Sequence, residues 1–508
     1  MSANEATDAA EGEPREEPGA ADERRAKLER LRERGVEPFP HIAARVPRTW
    51  IADIAGAHDP EQLAHGEHAG LAYRIAGRLI ARRGHAKTTF FDVRDQSGTM
   101  QVVARQEAMG EEAYDAMLDL DIGDIVTVEG VVYITQRGQL TLAVTACTML
   151  AKALRPPPDR YHGMGDQGSR YRYRELDLLA NERTREMFFK RTKMIEAIHD
   201  FLRARGFTQV ETPMLQTLAG GAASRPFVTH HNALDIDVYL RISVELYLNR
   251  CIVGGLENIY DLGRAFRNEG LSHRHSPEFT ILEWMMSYAD YWDVAKMTED
   301  MAESVALATL GTTKVEQFDG QTIDFATPWR RITLQDAIKD AVGIDFLQSS
   351  NEQLLEVLEG QADPDATWAK LVDAVYVKHV EPTLYQPTHV FDFPVDLFPI
   401  CKRHSANPRL SEHFDSVIRG MEILSGDTEL NDPLDQHERF VIQRQQAGEG
   451  AGDDDQPQPN DEEYVRALEY GMAPTAGGGL GVDRLLMALT GVEAMREVVP
   501  FPTLRARG

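Results

Sequence analysis

Between Phe266 and Tyr291 the chain reads FRNEGLSHRHSPEFTILEWMMSYADY. Arg267, His273, Arg274 and His275 crowd beside Glu269, Glu278 and Glu283, and apolar residues follow. This mixture suits recognition of a nucleotide that carries phosphates. A guanidinium such as that of Arg267 forks onto a phosphate or a carboxylate with two parallel hydrogen bonds. Arg274 and His275 extend the reach to further phosphates, and Phe279 offers a face on which a planar base can stack. A surface ion-pair cluster on a turn would have the same composition, so the chemistry needs support from other segments.

Two segments supply it. HFDSVIRGMEILSGDTELND carries Asp415, Glu422, Asp427 and Glu429. In one straight strand Asp415 and Glu422 would face opposite ways. A turn near Arg419 and Gly420 would bring both onto one face of a hairpin, where they could hold Mg²⁺ against phosphate oxygens. PTAGGGLGVDRLLMALTG is a glycine-rich strand end running into an amphipathic helix, with Arg484 in its first turn. No Gly-Lys-Ser/Thr follows, so it is not a P-loop, but Arg484 adds a second fixed cation.

The elements that must position these groups show as periodicity. NIYDLGRAFR before the charged turn and EFTILEWMM after it alternate as strands, and Gly270, Ser272 and Pro277 mark their connection. A long-looped antiparallel hairpin is expected. Side chains two apart share a face, so Phe279, Ile281, Glu283 and Met285 lie together, as do Arg267, Ala265 and Gly263. The small residues on the first strand suggest an open floor beside Arg267.

This hairpin belongs to a large α+β domain expected over residues 172–508, with a helical module inserted at about 333–383. Upstream, within a domain expected over residues 23–153, a charged helix precedes five short β-branched segments. One helical connection interrupts them at about residues 107–117. That pattern suggests a small closed barrel of the OB type, a fold that binds single strands through aromatic platforms and basic residues. Arg74, Arg78, Arg82, Arg83 and Lys87 precede Phe90 and Phe91, and of two adjacent aromatics on a strand at least one faces outward. ALRPPPDRYHG, within residues 154–171, reads as a semi-rigid linker.

At 508 residues the chain exceeds one ordinary core. A formal charge of −27 argues against nonspecific coating of nucleic acid. Much of that charge sits in residues 1–22, expected to be disordered, and 448–463, expected to be a solvated linker. Cys147, Cys251 and Cys401 are odd in number and far apart, which disfavours a disulfide framework and fits a reducing cytoplasm. No apolar run is long enough for a membrane span, and the acidic start has no apolar core of a secretory signal.

Taken together, GFTQVETPML, FRNEG…RHSPEFT and GGGLGVDR resemble, in order, the three signature motifs of class II aminoacyl-tRNA synthetases. RPFVTHHNALDIDVYLRISVELYLNR, ELNDPLDQHERF and the proline linker are similar to bacterial-type lysyl-tRNA synthetases, and the resemblance runs from about Arg24 to Pro502. It implies an α+β fold: an antiparallel class II catalytic sheet of about six or seven strands with flanking helices, plus an N-terminal OB-fold barrel for the anticodon. It also implies a cytoplasmic homodimer that takes ATP, Mg²⁺, tRNA and lysine or a related amino acid.

Carried onto this chain, the resemblance gives Arg267 and Arg484 the catalytic charges. Glu269, His275, Phe279 and Glu422 join them at ATP, and Asp415 and Glu422 hold the metal. Gly221 and Glu245 hold the α-ammonium; Glu283 and Glu429 meet the lysine ε-ammonium. Arg78, Phe90 and Gln101 match anticodon-contacting positions. Departures from the family's usual residues occur at Met285 for Tyr, Ser425 for Asn, Asp427 for Phe, Asp415 for Glu and, in the barrel, Gln139 for Glu. Three readings follow: a lysine–tRNA ligase with a variant pocket, a paralogue that activates another amino acid or a lysine analogue, and a noncatalytic tRNA-binding protein. Intact Arg267, Phe279, Glu422 and Arg484 weigh against the third.

Overall fold

The computed structural model describes residues 19–42, 46–58, 68–85, 87–158, 164, 166–218, 220–221, 224–447 and 461–505. The segments expected to be a disordered tail and a solvated acidic linker lie mostly outside the described residues, as does part of the proline linker. Two compact units divide between Glu182 and Arg183.

In the first unit, five strands close a barrel: His68–His85, Thr88–Arg94, Thr99–Arg105, Leu140–Ala151 and Ile125–Ile134, in that spatial order. Helices Gln106–Met109 and Glu111–Leu118 connect the third strand to the fourth in sequence, as the pattern predicted. Alternation places Phe91, Val93, Val102, Val126 and Val128 in the barrel core. Helix Ala20–Glu33 buries Leu28 and Leu31, and its Lys27 pairs with Asp121 at 2.8 Å.

The second unit is built on eight strands. Their order is Arg330–Thr333, Thr388–Phe391, His413–Val417, Glu422–Thr428, Thr475–Gly481, Glu278–Ser287, Asn258–Phe266 and Thr208–Gln209. The six inner strands pair antiparallel, and the short outermost strands add parallel edges. The sheet has eight strands where six or seven were expected; its two parallel edges, Thr208–Gln209 and Arg330–Thr333, are only two and four residues long.

Helices Tyr291–Leu310 and Val482–Thr490 cover one face and bury Leu282, Trp284, Ile423, Leu424 and Leu480. The first of these helices starts at a reciprocal cap between Asp290 and Asp293. The alternate residues of the same central strands therefore point to the other face, where the cavity lies. Residues 334–383 form short helices with a core of Ile338, Phe346, Leu354, Leu371 and Val375 packed on Val390 and Val417.

Candidate active site

The charged turn of the sequence is the loop of a hairpin. Asn258–Phe266 pairs with Glu278–Ser287 in full register, with Ala265 opposite Phe279 and Asp261 opposite Glu283. Beyond the last pair, the Arg267 N–H donates to the Pro277 carbonyl at 2.9 Å. The floor beside it is not open. A Cβ at Gly263 would sit 2.2 Å from Arg241 Nη2. The small residue is there to admit this buried guanidinium, which is paired with Asp261 at 3.0 Å.

The next strand, Thr475–Gly481, lies so close that its glycines are required. A Cβ at Gly477 would fall 2.3 Å from Met285 Sδ, and one at Gly478 would fall 2.9 Å from the Trp284 ring. Because Gly477 and Gly479 lie between them, Glu283 and Met285 on one side and Ser425 and Asp427 on the other look across bare backbone. That groove is the floor of a cavity of about 370 Å³.

One end of the cavity is cationic. The Arg267 guanidinium lies 5.2 Å from the centre of the Phe279 ring. Its Nε is buried with no hydrogen-bond partner. Burial lowers the Arg267 pKa, and Glu269 and Glu422 push the other way. Arg484 donates to the Glu422 carbonyl at 2.7 Å and meets His275 Nε2 at 3.1 Å. Burial and then Arg484 lower the His275 pKa, so the neutral ring accepts from the guanidinium. Glu269 accepts from Ser224 Oγ. Arg274 is tied away, donating to the Gly420 carbonyl at the tip of the adjacent hairpin.

The other end is acidic. Glu283 accepts from Ser243 Oγ at 3.0 Å and from the Val244 N–H at 3.3 Å, yet burial still raises its carboxyl to about 7. Glu429 accepts from Asn249 Nδ2 at 2.8 Å. Burial and then neighbouring acids push Glu245 and Glu429 well above the usual carboxylate range. Gly221 packs beside this group, with Ser243 and Glu245 against the place a Cβ would take.

Asp415 lies behind the cavity wall. It accepts from Ser425 Oγ at 2.8 Å and from His413 Nε2 at 3.2 Å. A turn at Arg419 and Gly420, both at positive φ, and a bulge between Ser416 and Val417 bring Asp415 and Glu422 into one neighbourhood. Their negative charge is felt by Asp373, Tyr376 and Glu381, each with a raised pKa dominated by burial. Asp373, Glu381, Asp415 and Glu422 thus share one acidic neighbourhood, in which the buried Tyr376 hydroxyl has no hydrogen-bond partner.

Sequence reasoning missed four residues. His413 stacks on Phe398 at 3.5 Å. Burial alone would lower its pKa, but Asp415 and Asp427 raise it to about 9. Its place two residues before Asp415 on a strand already implied a shared face. Asp483 is buried and accepts from Arg191 and from the Thr280 N–H at 2.8 Å, locking the glycine-rich turn to the hairpin. Ser243 orients Glu283, and nothing local marked either it or Arg191.

A hairpin bearing an Arg over a Phe, a glycine strand ending at an Arg, and paired acids on one antiparallel sheet form a distinctive constellation. Residues 166–505 match the family description "tRNA synthetases class II (D, K and N)". The chain belongs to the class II tRNA synthetases. Residues 73–150 match the OB-fold nucleic acid binding domain. Among curated relatives, the lysine–tRNA ligase of Pelotomaculum thermopropionicum is 43% identical, covering 95% of this chain and 94% of its own. Those of Carboxydothermus hydrogenoformans and Staphylococcus aureus are 43% and 41% identical, each covering 95% of this chain and 97% and 98% of their own length.

In this synthetase the barrel splits its aromatic pair as expected. Phe91 is in the core and Phe90 is half-exposed on the outer surface. Phe90 lies opposite Arg83, and Arg83 donates to Gln101 at 3.1 Å and to Asp92 at 2.9 Å. Gln101 is buried and donates to Thr141 Oγ1 at 2.8 Å, next to exposed Gln139. Arg78 is apart from these, bonded to the Gly123 carbonyl at 2.7 Å.

Proposed function

We propose that this synthetase joins lysine to tRNA in two steps, through lysyl-adenylate. The observation that carries the reading is the two-ended cavity, cationic at Arg267 and Arg484 and acidic at Glu245, Glu283 and Glu429. The names of the relatives support it. Phe279 stacks on adenine, with Glu269 at its amine. Arg267 forks between the amino-acid carboxylate and the α-phosphate, which explains its unpartnered Nε. The carboxylate oxygen attacks the α-phosphorus and pyrophosphate leaves, its charge met by His275 and Arg484. A ribose hydroxyl at the tRNA 3′ end then attacks the carbonyl, and AMP leaves. Asp415 and Glu422 would hold Mg²⁺, which when bound would supply charge neutralisation to the phosphates. No covalent enzyme intermediate is needed; the chain's work is positioning and electrostatics.

The amino acid lies with Glu245 and Gly221 at its α-ammonium and Glu283 and Glu429 around the side-chain ammonium, beside Met285 and Ser425. A desolvated cation needs opposite charge at short range. The barrel takes the anticodon on the Phe90 surface, with Gln101 and Gln139 beside it and Arg78 a separate contact further along the first strand. A homodimer is supported by the exposed apolar residues Met214, Leu215, Val228, Leu234 and Ile236 in and beside the small three-stranded sheet. A cytoplasmic location fits the activity, and no helix among the described residues is long and apolar enough to cross a membrane.

Amino-acid-dependent ATP–pyrophosphate exchange over a panel of amino acids tests the reading. Lysine is expected to support exchange, and Arg267→Ala to abolish it for every amino acid. Exchange with no preference for lysine, or an unchanged rate in the Arg267 variant, would overturn it.

A further inference from the structure

Glu269 stands three residues past Phe266, where the hairpin makes its last strand pair with Glu278. No regular structure holds it there, and it is exposed at the rim of the cavity. What fixes it comes from another segment. Ser224 is 3% exposed, and its hydroxyl donates to Glu269 Oε1. One residue further on, the Arg225 carbonyl accepts from the Asn268 N–H at 2.8 Å. Two consecutive residues of one segment therefore grip two consecutive residues of the hairpin loop, one through a side chain and one through backbone. Among the described residues no other hydrogen bond reaches the Glu269 carboxylate. Ser224 does not line the cavity; it stands behind Glu269.

We propose that Ser224 is a positioning residue for base selection: by engaging Oε1 it presents Glu269 Oε2 to the cavity as a fixed acceptor, and so favours a 6-aminopurine nucleotide over a 6-oxopurine one. The inference rests on the placing of adenine at Glu269 and adds the group that aims that carboxylate. An ionised carboxylate accepts hydrogen bonds and cannot donate them. The exocyclic amine of adenine offers it an N–H. The carbonyl oxygen of hypoxanthine or guanine would instead set lone pairs against lone pairs. Such discrimination needs the oxygen held in place. A free glutamate side chain loses rotamer freedom when a ligand orders it, an effect of about tenfold in affinity. The serine imposes that order before the nucleotide arrives. Phe279 and Arg267 add little to this choice, because ring stacking and a phosphate fork treat the two purines alike.

The test is lysine-dependent pyrophosphate exchange with ATP and with inosine triphosphate, using the full chain and its Ser224→Ala and Ser224→Cys variants. The unaltered chain should prefer ATP roughly 100-fold in kcat/KM, the effect of losing a hydrogen bond to a charged group. In Ser224→Ala that preference should shrink about tenfold through a higher ATP KM, with the lysine KM and the use of inosine triphosphate unchanged. Ser224→Cys, similar in size and a weak donor, should fall between the two. Each preference is a ratio within one protein, so a loss of folded material cancels. An unchanged ratio in Ser224→Ala, even where both rates fall together, refutes the role of the serine and leaves lysine ligation intact. Equal use of the two nucleotides by the unaltered chain would remove Glu269 from the adenine amine and this inference with it. Absence of lysine-dependent exchange with either nucleotide would overturn the function beneath both.

Discussion

Asp483 is a sharp test of how the site is held together. It is 1% exposed, and its two oxygens serve different elements: one accepts from Arg191 of helix Glu182–Ala204, the other from the Thr280 N–H at 2.8 Å. Asp483→Asn keeps the shape but turns one oxygen into a donor, so either Arg191 or the Thr280 N–H faces another donor. Removing one partner of a buried ion pair costs about 3–5 kcal/mol. Arg191 retains a hydrogen bond to Thr280 Oγ1 at 2.8 Å and is 11% exposed, so the lower end applies, about 3 kcal/mol. With a urea slope of about 3 kcal/mol per M, the midpoint should drop by roughly 1 M. Tryptophan fluorescence reports the right unit, since Trp284, Trp292, Trp329 and Trp368 lie there and only Trp50 lies in the other. Replacing both partners, Arg191→Met with Asp483→Leu, should recover part of the loss. A midpoint shift under about 0.3 M at unchanged slope would show that this pair does not clamp the glycine turn to the hairpin.

Other consequences are open to measurement. Phe90→Ala should raise the tRNA KM by roughly 5- to 150-fold, from about 1–3 kcal/mol of base stacking, and leave pyrophosphate exchange unchanged; equal loss of both would remove the barrel surface from the anticodon role. Glu283 has its carboxyl raised from 4.5 to about 7 by burial. A raised folded-state pKa means that its favourable contribution is complete below the unfolded value and is lost as pH climbs through the folded one. An ammonium ligand needs the ionised form, so lysine binding at pH 6 should release protons and tighten as pH rises towards 7. Titration calorimetry at pH 6 in buffers of different ionisation enthalpy reads this directly, and identical heats in all buffers would contradict it.

Much of this site could be read from local patterns. Alternation around Glu283 and Met285 located the wall of the cavity, and the strand-to-helix turn before Arg484 located its second cation, whereas the floor was expected beside Gly263 and lies along Gly477 and Gly479 instead. The pairing of Phe90 with Phe91 separated surface from core in the barrel. What could not be read was set by contacts distant in sequence. Gly263 looked like empty space, but it is filled by Arg241 from another segment. Asp483 resembled an ordinary acid in a first helical turn until Arg191, from a helix almost three hundred residues earlier, was seen against it. His413 gave a period-two signal, but its charge depends on Asp427 from the neighbouring strand.

The tip at Arg419 and Gly420 acts as a length gauge. Ile418 and Met421 exchange both backbone hydrogen bonds across it, at 3.0 and 3.1 Å, leaving two residues at the bend. Adding or deleting a single residue there would shift the phase of one strand and turn either Asp415 or Glu422 towards the packed layer that holds Leu424. At Gly420 a side chain would also press on Pro382 Cα, 3.0 Å from the place of its Cβ, but a change in the number of residues would separate the two acids outright.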